Sequence, residues 1–138
     1  MLKIYNKDII DLKEYNLENI KELEIIFCPK LKYINDLKNI EKLYINGCNN
    51  LLYISNSDKL KELTIKQCNK LDYLQEYKNL KYLEIRYCDK LKELPKINSL
   101  DYFKIEDLNI INIPKQIYNI KSKSILNCFE IRNNLINI

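Results

Sequence analysis

Histidine, tryptophan, alanine and valine are absent from the 138 residues, and glycine occurs once. Without histidine the chain has no side chain whose unperturbed pKa lies near neutrality. That excludes HExxH metal sites and Ser–His or Cys–His nucleophilic pairs. A single glycine leaves nothing from which to build a phosphate-cradling loop. No apolar run reaches membrane-spanning length. The first residues, MLKIYNKDII, lack the apolar stretch and small-residue cleavage site of a secretory signal, which gives a cytoplasmic, intracellular expectation. A strong excess of either charge is also lacking: 23 Lys and Arg against 19 Asp and Glu give a net charge of +4. Nucleic-acid binders concentrate basic residues far more strongly, so a nucleic-acid partner is not expected. The abundant Ile, Asn, Lys and Tyr all have AT-rich codons, which speaks of an AT-rich genome and not of activity.

What is present is a repeat. IKELEIIFC, IEKLYINGC, LKELTIKQC and LKYLEIRYC share the frame L-x-x-L-x-I-x-x-C-x-x-L-x-x-[IL] at a 20-residue period. Leu23, Leu43, Leu63, Leu83 and Phe103 form one column, and Ile25, Ile45, Ile65, Ile85, Ile105 and Ile125 a second. Leu31, Leu51, Leu71, Leu91 and Ile111 form a third. The L-x-I alternation sends two side chains to one side, as in a strand with one buried face. One such strand cannot bury its apolar face, but stacked units make a continuous core and a quasi-one-dimensional solenoid.

LTIKQCNKL resembles the strand-and-turn segment L-x-L-x-x-[N/C]-x-L of the leucine-rich repeat family, over roughly Leu12 to Ile131. The resemblance implies an α/β-type right-handed leucine-rich repeat solenoid, mostly parallel sheet with extended or 3₁₀ return segments and little α-helix. One domain spans 1–138, with a degenerate cap over 1–16, repeats over 17–131 and a C-terminal edge over 132–138. The short cysteine-containing unit and the Ile/Asn/Lys bias are similar to leucine-rich repeat proteins of large AT-rich DNA viruses, such as insect poxviruses and giant amoebal viruses. CDKLKELP, from Cys88 to Pro95, also resembles plant resistance-protein repeats. The repeat frame is specific for fold and not for function.

Cysteine returns at Cys28, Cys48, Cys68 and Cys88, gives way to Leu108, and returns at Cys128. Equivalent residues of neighbouring coils form a line about 4.8 Å apart, and a line cannot surround one zinc ion. The spacing falls within the disulfide range, but parallel Cβ vectors and a reducing compartment disfavour bridging. Cysteine as a small buried hydrophobe fits better, and Leu108 in the same column agrees, since leucine neither ligates nor bridges. No cofactor or metal is expected. Tyr33, Tyr53 and Tyr73 share a phase, and a ladder on the return side is favoured over a binding strip. Asn19, Asn39, Asn79 and Asn119, with Ser99 in phase, are expected to make turns.

If Leu63 and Ile65 point inward, Glu62, Thr64 and Lys66 point outward onto an open sheet face. Equivalent positions place Glu22, Glu24 and Ile26 there, then Tyr44 and Asn46, then Tyr82, Glu84 and Arg86, then Tyr102 and Lys104, with Tyr87 at the rim. Tyr and Arg are over-represented at binding hot spots. These positions are therefore the candidate protein-binding surface. Paired carboxylates such as Glu62 and Glu84 lack a water-excluding cleft on a flat sheet, so enzymatic activity is not expected. The segment ILNCFEIRNNLINI stays apolar to its last residue. It offers an alternative reading, a self-assembling protein that pairs, for example as a homodimer, through its C-terminal edge strand.

Overall fold

Each Leu-x-Ile triplet sits at the centre of a short strand, because its two apolar side chains need one face and its polar middle residue needs the other. The computed structural model describes residues 1–98, 100–110, 113–126 and 128. Its strands are β1 (Leu2–Tyr5), β2 (Glu22–Ile26), β3 (Tyr33–Ile34), β4 (Lys42–Asn46), β5 (Tyr53–Ile54), β6 (Glu62–Lys66), β7 (Tyr82–Arg86), β8 (Tyr102–Glu106) and β9 (Ser122–Leu126). Seven of them form one parallel sheet in the order β1-β2-β4-β6-β7-β8-β9. β3 and β5 pair in parallel as a second, two-stranded sheet. Neighbouring coils align in register: Leu23 pairs with Leu43, Leu63 with Leu83, Ile65 with Ile85 and Ile105 with Ile125. The molecule is thus a solenoid of parallel strands with a 20-residue rise. A 3₁₀ turn at Lys115–Asn119, entered through Pro114, is its only helical piece among the described residues.

The core is a stack of similar layers. Leu43, Leu63, Ile65, Leu83 and Ile85 are almost wholly buried, as are Leu31, Leu51, Leu71 and Leu91 from the next corner. Ile34 and Ile54 close the layer from the return side. In β9 the Leu column holds the exposed Lys123, whose ammonium donates to the carbonyls of Tyr118 and Ile120 at 2.7 and 3.2 Å. Ile111, Ser99 and the 132–138 edge lie outside the described residues.

Each strand of the seven-stranded sheet from β1 to β8 ends the same way. Asn6, Phe27, Gly47, Gln67, Tyr87 and Asp107 all adopt positive φ, between 51° and 70°. The left-handed residue swings the chain out of the sheet, while its N–H still donates to the next coil. Phe27 donates to the Asn46 carbonyl at 2.9 Å, Gly47 to Lys66 at 3.0 Å and Tyr87 to Glu106 at 3.1 Å. This conformation costs an L-residue roughly 1–2 kcal/mol, yet only one coil uses glycine. At Gly47 the Phe27 ring occupies the space where a Cβ would sit.

The cysteines follow directly. Cys28, Cys48, Cys68, Cys88 and Cys128 are free and buried. Each thiol faces the carbonyl two residues earlier, for example Cys68 Sγ to Lys66 O at 3.4 Å and Cys88 Sγ to Arg86 O at 3.3 Å. The backbone carbonyl of each of the first four cysteines accepts an N–H from three residues on, as Leu71 N to Cys68 O at 3.2 Å. Leu108 fills the same place as a buried side chain.

The segment 1–16, expected as a degenerate cap, contributes a strand of its own. Leu2-Lys3-Ile4 is itself an L-x-I triplet, and β1 adds the sheet's first strand, with Leu2 opposite Leu23 and Ile4 opposite Ile25. The step is 21 residues there, not 20. Asn19, Asn39 and Asn79 sit in turns, as expected, and two of them also reach the preceding coil. Asn39 Nδ2 donates to Glu18 O and Asn79 Nδ2 to Asp58 O, both at 2.7 Å. In a solenoid the carbonyl of the preceding coil is as close as those of the residue's own turn.

Candidate functional site

The outward positions of the seven strands line one continuous face, and parallel pairing sets them in rows. One row runs Lys42, Glu62, Tyr82, Tyr102 and Ser122; the next runs Glu24, Tyr44, Thr64, Glu84, Lys104 and Ser124. A third holds Ile26, Asn46, Lys66, Arg86, Glu106 and Leu126. Residues adjacent within a row lie about 4.8 Å apart across the strands, close enough for side chains to touch.

On β6, β7 and β8 these rows converge on one cluster. The rings of Tyr82 and Tyr102 stack with centroids 4.4 Å apart and planes 4° apart. Tyr82 Oη donates to Glu84 Oε2 at 2.8 Å. The other carboxylate oxygen, Oε1, forms ion pairs with Lys66 Nζ at 3.4 Å and with the Arg86 guanidinium. Arg86 also reaches Glu106 Oε2 at 3.3 Å through Nη1. Glu84 is therefore 6% exposed although it sits on the outer face. Its burial was not evident from the alternating charge pattern, in which Glu62, Glu84 and Glu106 read alike. Burial alone pushes the Glu84 carboxyl up, but the Tyr82 hydroxyl and the charges of Lys66 and Arg86 outweigh it and hold it below the usual range. The same contacts push the Tyr82 phenol well up, burial first and then its bond to Glu84. Arg86 Nε is buried without a hydrogen-bond partner among the described residues.

The remaining expected residues extend this cluster. Lys66 Nζ lies 5.4 Å over the Tyr44 ring, a cation–π distance, which joins Tyr44 to Glu84 through one lysine. Asn46 stands half-buried beside Lys66. Lys104 approaches Glu106 at 3.9 Å. Tyr87, in the left-handed position after β7, is 42% exposed at the rim, and its hydroxyl donates to Glu106 Oε1 at 3.3 Å. The charge of Glu106 is the main reason its phenol is raised. On the N-terminal side, Met1, Glu22, Glu24, Lys42, Tyr44 and Thr64 edge a shallow depression of about 290 Å³. A hollow of about 520 Å³ between residues 12–18 and 35–39 opens on another side, and its lining holds no ring pair or buried carboxylate.

The return side is different in kind. Tyr33 pairs with Tyr53 across β3 and β5, and Tyr53 meets Tyr73 at 6.4 Å with a 54° tilt. Tyr77 was missed as a core residue. It is 3% exposed, and its hydroxyl has no partner among the described residues. The period did signal it, since Leu17, Leu37, Ser57, Tyr77, Ile97 and Ile117 form a further buried column. Among the described residues no group of three His, Cys, Asp or Glu side chains is arranged to hold a metal ion. Burial pushes the Cys48 and Cys88 thiols up to about 11 and about 12, away from the thiolate needed for ligation or attack.

Compared with protein-family models, with curated proteins and with solved structures, the chain finds no match in any of the three.

Proposed function

We propose that this chain is a non-enzymatic interaction module that binds a protein partner through the open face of its parallel sheet. The observation that carries the reading is the Tyr82–Tyr102–Glu84–Arg86–Lys66 cluster. It sets two tyrosines beside an arginine, residue types enriched at hot spots, and its members are already held in place by one another. Side chains ordered before binding lose less entropy when a partner arrives, so more of the contact energy remains as affinity. Tyr44, Asn46, Tyr87 and Lys104 enlarge the same surface. The L-x-I columns and short parallel strands support reading the chain as a leucine-rich repeat protein. The AT-biased composition supports a kinship with the leucine-rich repeat proteins of large DNA viruses. Five unpaired cysteines fit a reducing, intracellular setting.

The test is affinity capture from the cells that express the gene, with three baits. The wild type and a return-side variant, Tyr33→Ala with Tyr73→Ala, should retain the same partner. A face variant, Tyr82→Ala with Arg86→Ala and Tyr102→Ala, should lose it while keeping the circular dichroism spectrum of the fold. Retention of every partner by the folded face variant would refute the assignment.

A further inference from the structure

The Tyr82–Tyr102 stack stops one strand short. In the row Lys42, Glu62, Tyr82, Tyr102, Ser122, the first two residues are tied together as an ion pair at 3.0 Å, so Tyr82 is flanked by an engaged carboxylate side chain. On the other side Tyr102 faces Ser122, which is exposed. A parallel, in-register sheet places that position about 4.8 Å further along the row, the distance at which a third ring would stack. A serine side chain ends at Oγ and cannot cover the outer face of the Tyr102 ring. The adjoining places on β9 are Ser124, half-buried, and Leu126, 45% exposed. The floor is therefore small and polar in the middle, and apolar at one end.

Charge narrows the occupant. Lys104 stands beside this place, and its neighbour on β9 is the uncharged Ser124. Its acid among the described residues, Glu106, is 3.9 Å away and already engaged by Arg86 at 3.3 Å and by the Tyr87 hydroxyl. A carboxylate arriving from outside would meet Lys104 without displacing another acid. Across the whole face cations and carboxylates are equal in number. That balance suits a peptide and not a phosphate backbone.

We infer that the place above Ser122 and Ser124 is a slot for an aromatic side chain of the protein partner, which stacks on Tyr102 while a neighbouring partner carboxylate pairs with Lys104. The slot rests on the sheet-face reading above and names the chemistry that this face recognises.

Because the chain has no tryptophan, the indole fluorescence of a probe peptide is free of background. The probe is acetyl-Glu-Trp-Glu-Gly-amide, compared with its Leu-for-Trp and Lys-for-Glu counterparts. Amide shifts of Ser122 and Ser124 and indole proton shifts are followed by NMR. The acidic tryptophan peptide should move the two serine amides and show upfield indole shifts from the Tyr102 ring. Tyr102→Leu should weaken its binding roughly two- to tenfold, the size of one aromatic pair. Ser122→Tyr should fill the slot and abolish binding. Ser122→Leu does the same with a smaller side chain, should the tyrosine disturb β9. Equal binding of the leucine peptide, unchanged binding by both Ser122 variants, or no binding of the acidic peptide would overturn the slot. So would a preference for oligothymidine over the peptide. Capture of a partner that the face variant loses but Ser122→Tyr keeps would leave the interaction face standing and remove the slot alone.

Discussion

The cysteine column can be tested through its silence. Cys48 is buried with its pKa raised to about 11 against an ordinary 9.0. At pH 8 an ordinary thiol is ionised about one time in ten, whereas Cys48 would be ionised about one time in a thousand. Cys88, raised to about 12, falls a further tenfold or so. Only the thiolate attacks a disulfide reagent, so Ellman's reagent should label native Cys48 about a hundredfold more slowly than a free thiol, before any loss of access is counted. With all five side chains buried, labelling of the folded protein should follow its opening rate instead of thiol chemistry. In guanidinium, without reductant, five equivalents should appear in one fast phase. Any cysteine of the folded protein that reacts at the free-thiol rate would refute the packing argument. Fewer than five equivalents after denaturation would show a disulfide.

Other consequences concern the packing, the turns and the face. Ile65→Ala, at a wholly buried site in a central strand, should cost about 2–5 kcal/mol in denaturant unfolding, whereas Thr64→Ala on the outer face should cost under about 0.5 kcal/mol. Gly47→Ala should cost about 1–2 kcal/mol, because φ is +70° and the Phe27 ring must move; a Tm unchanged within error would contradict that. The Glu84 carboxyl is held below its ordinary 4.5, so the unfolded state binds that proton more readily than the folded one. Its contribution is therefore complete above the ordinary value and lost as pH falls through the lower folded value. Glu84→Gln should flatten the fall in stability below about pH 4.5, and an unchanged pH profile would show that the carboxylate is not engaged.

The parts of the molecule that depend on the period were legible in the sequence. Leu63 and Ile65 recur at 20-residue intervals, and stacking is the only way such triplets can all be buried, so strands, register and core column could be read together. The same rule places Tyr82 beside Tyr102. It failed where the step changed, as at Leu2-Lys3-Ile4, which lies 21 residues before its partner triplet. The turn was hidden for another reason. Left-handed residues are usually announced by glycine or asparagine, but here Phe27, Gln67 and Tyr87 take that conformation, held by hydrogen bonds to the next coil that no single repeat reveals. Glu84 was hidden because its burial depends on Tyr82, Lys66 and Arg86 acting together, while its own place in the repeat looks like that of any exposed acid.

If the outer sheet face meets a protein, the chain's own tyrosines can report it. Tyr44, Tyr82, Tyr87 and Tyr102 stand on or beside that face, whereas Tyr33 and Tyr73 stand on the return side. Tyrosine footprinting, with and without the captured partner, reads both sides in one experiment. Protection of the first group with the return-side pair unchanged is the predicted result. Protection confined to Tyr33 and Tyr73 would contradict it.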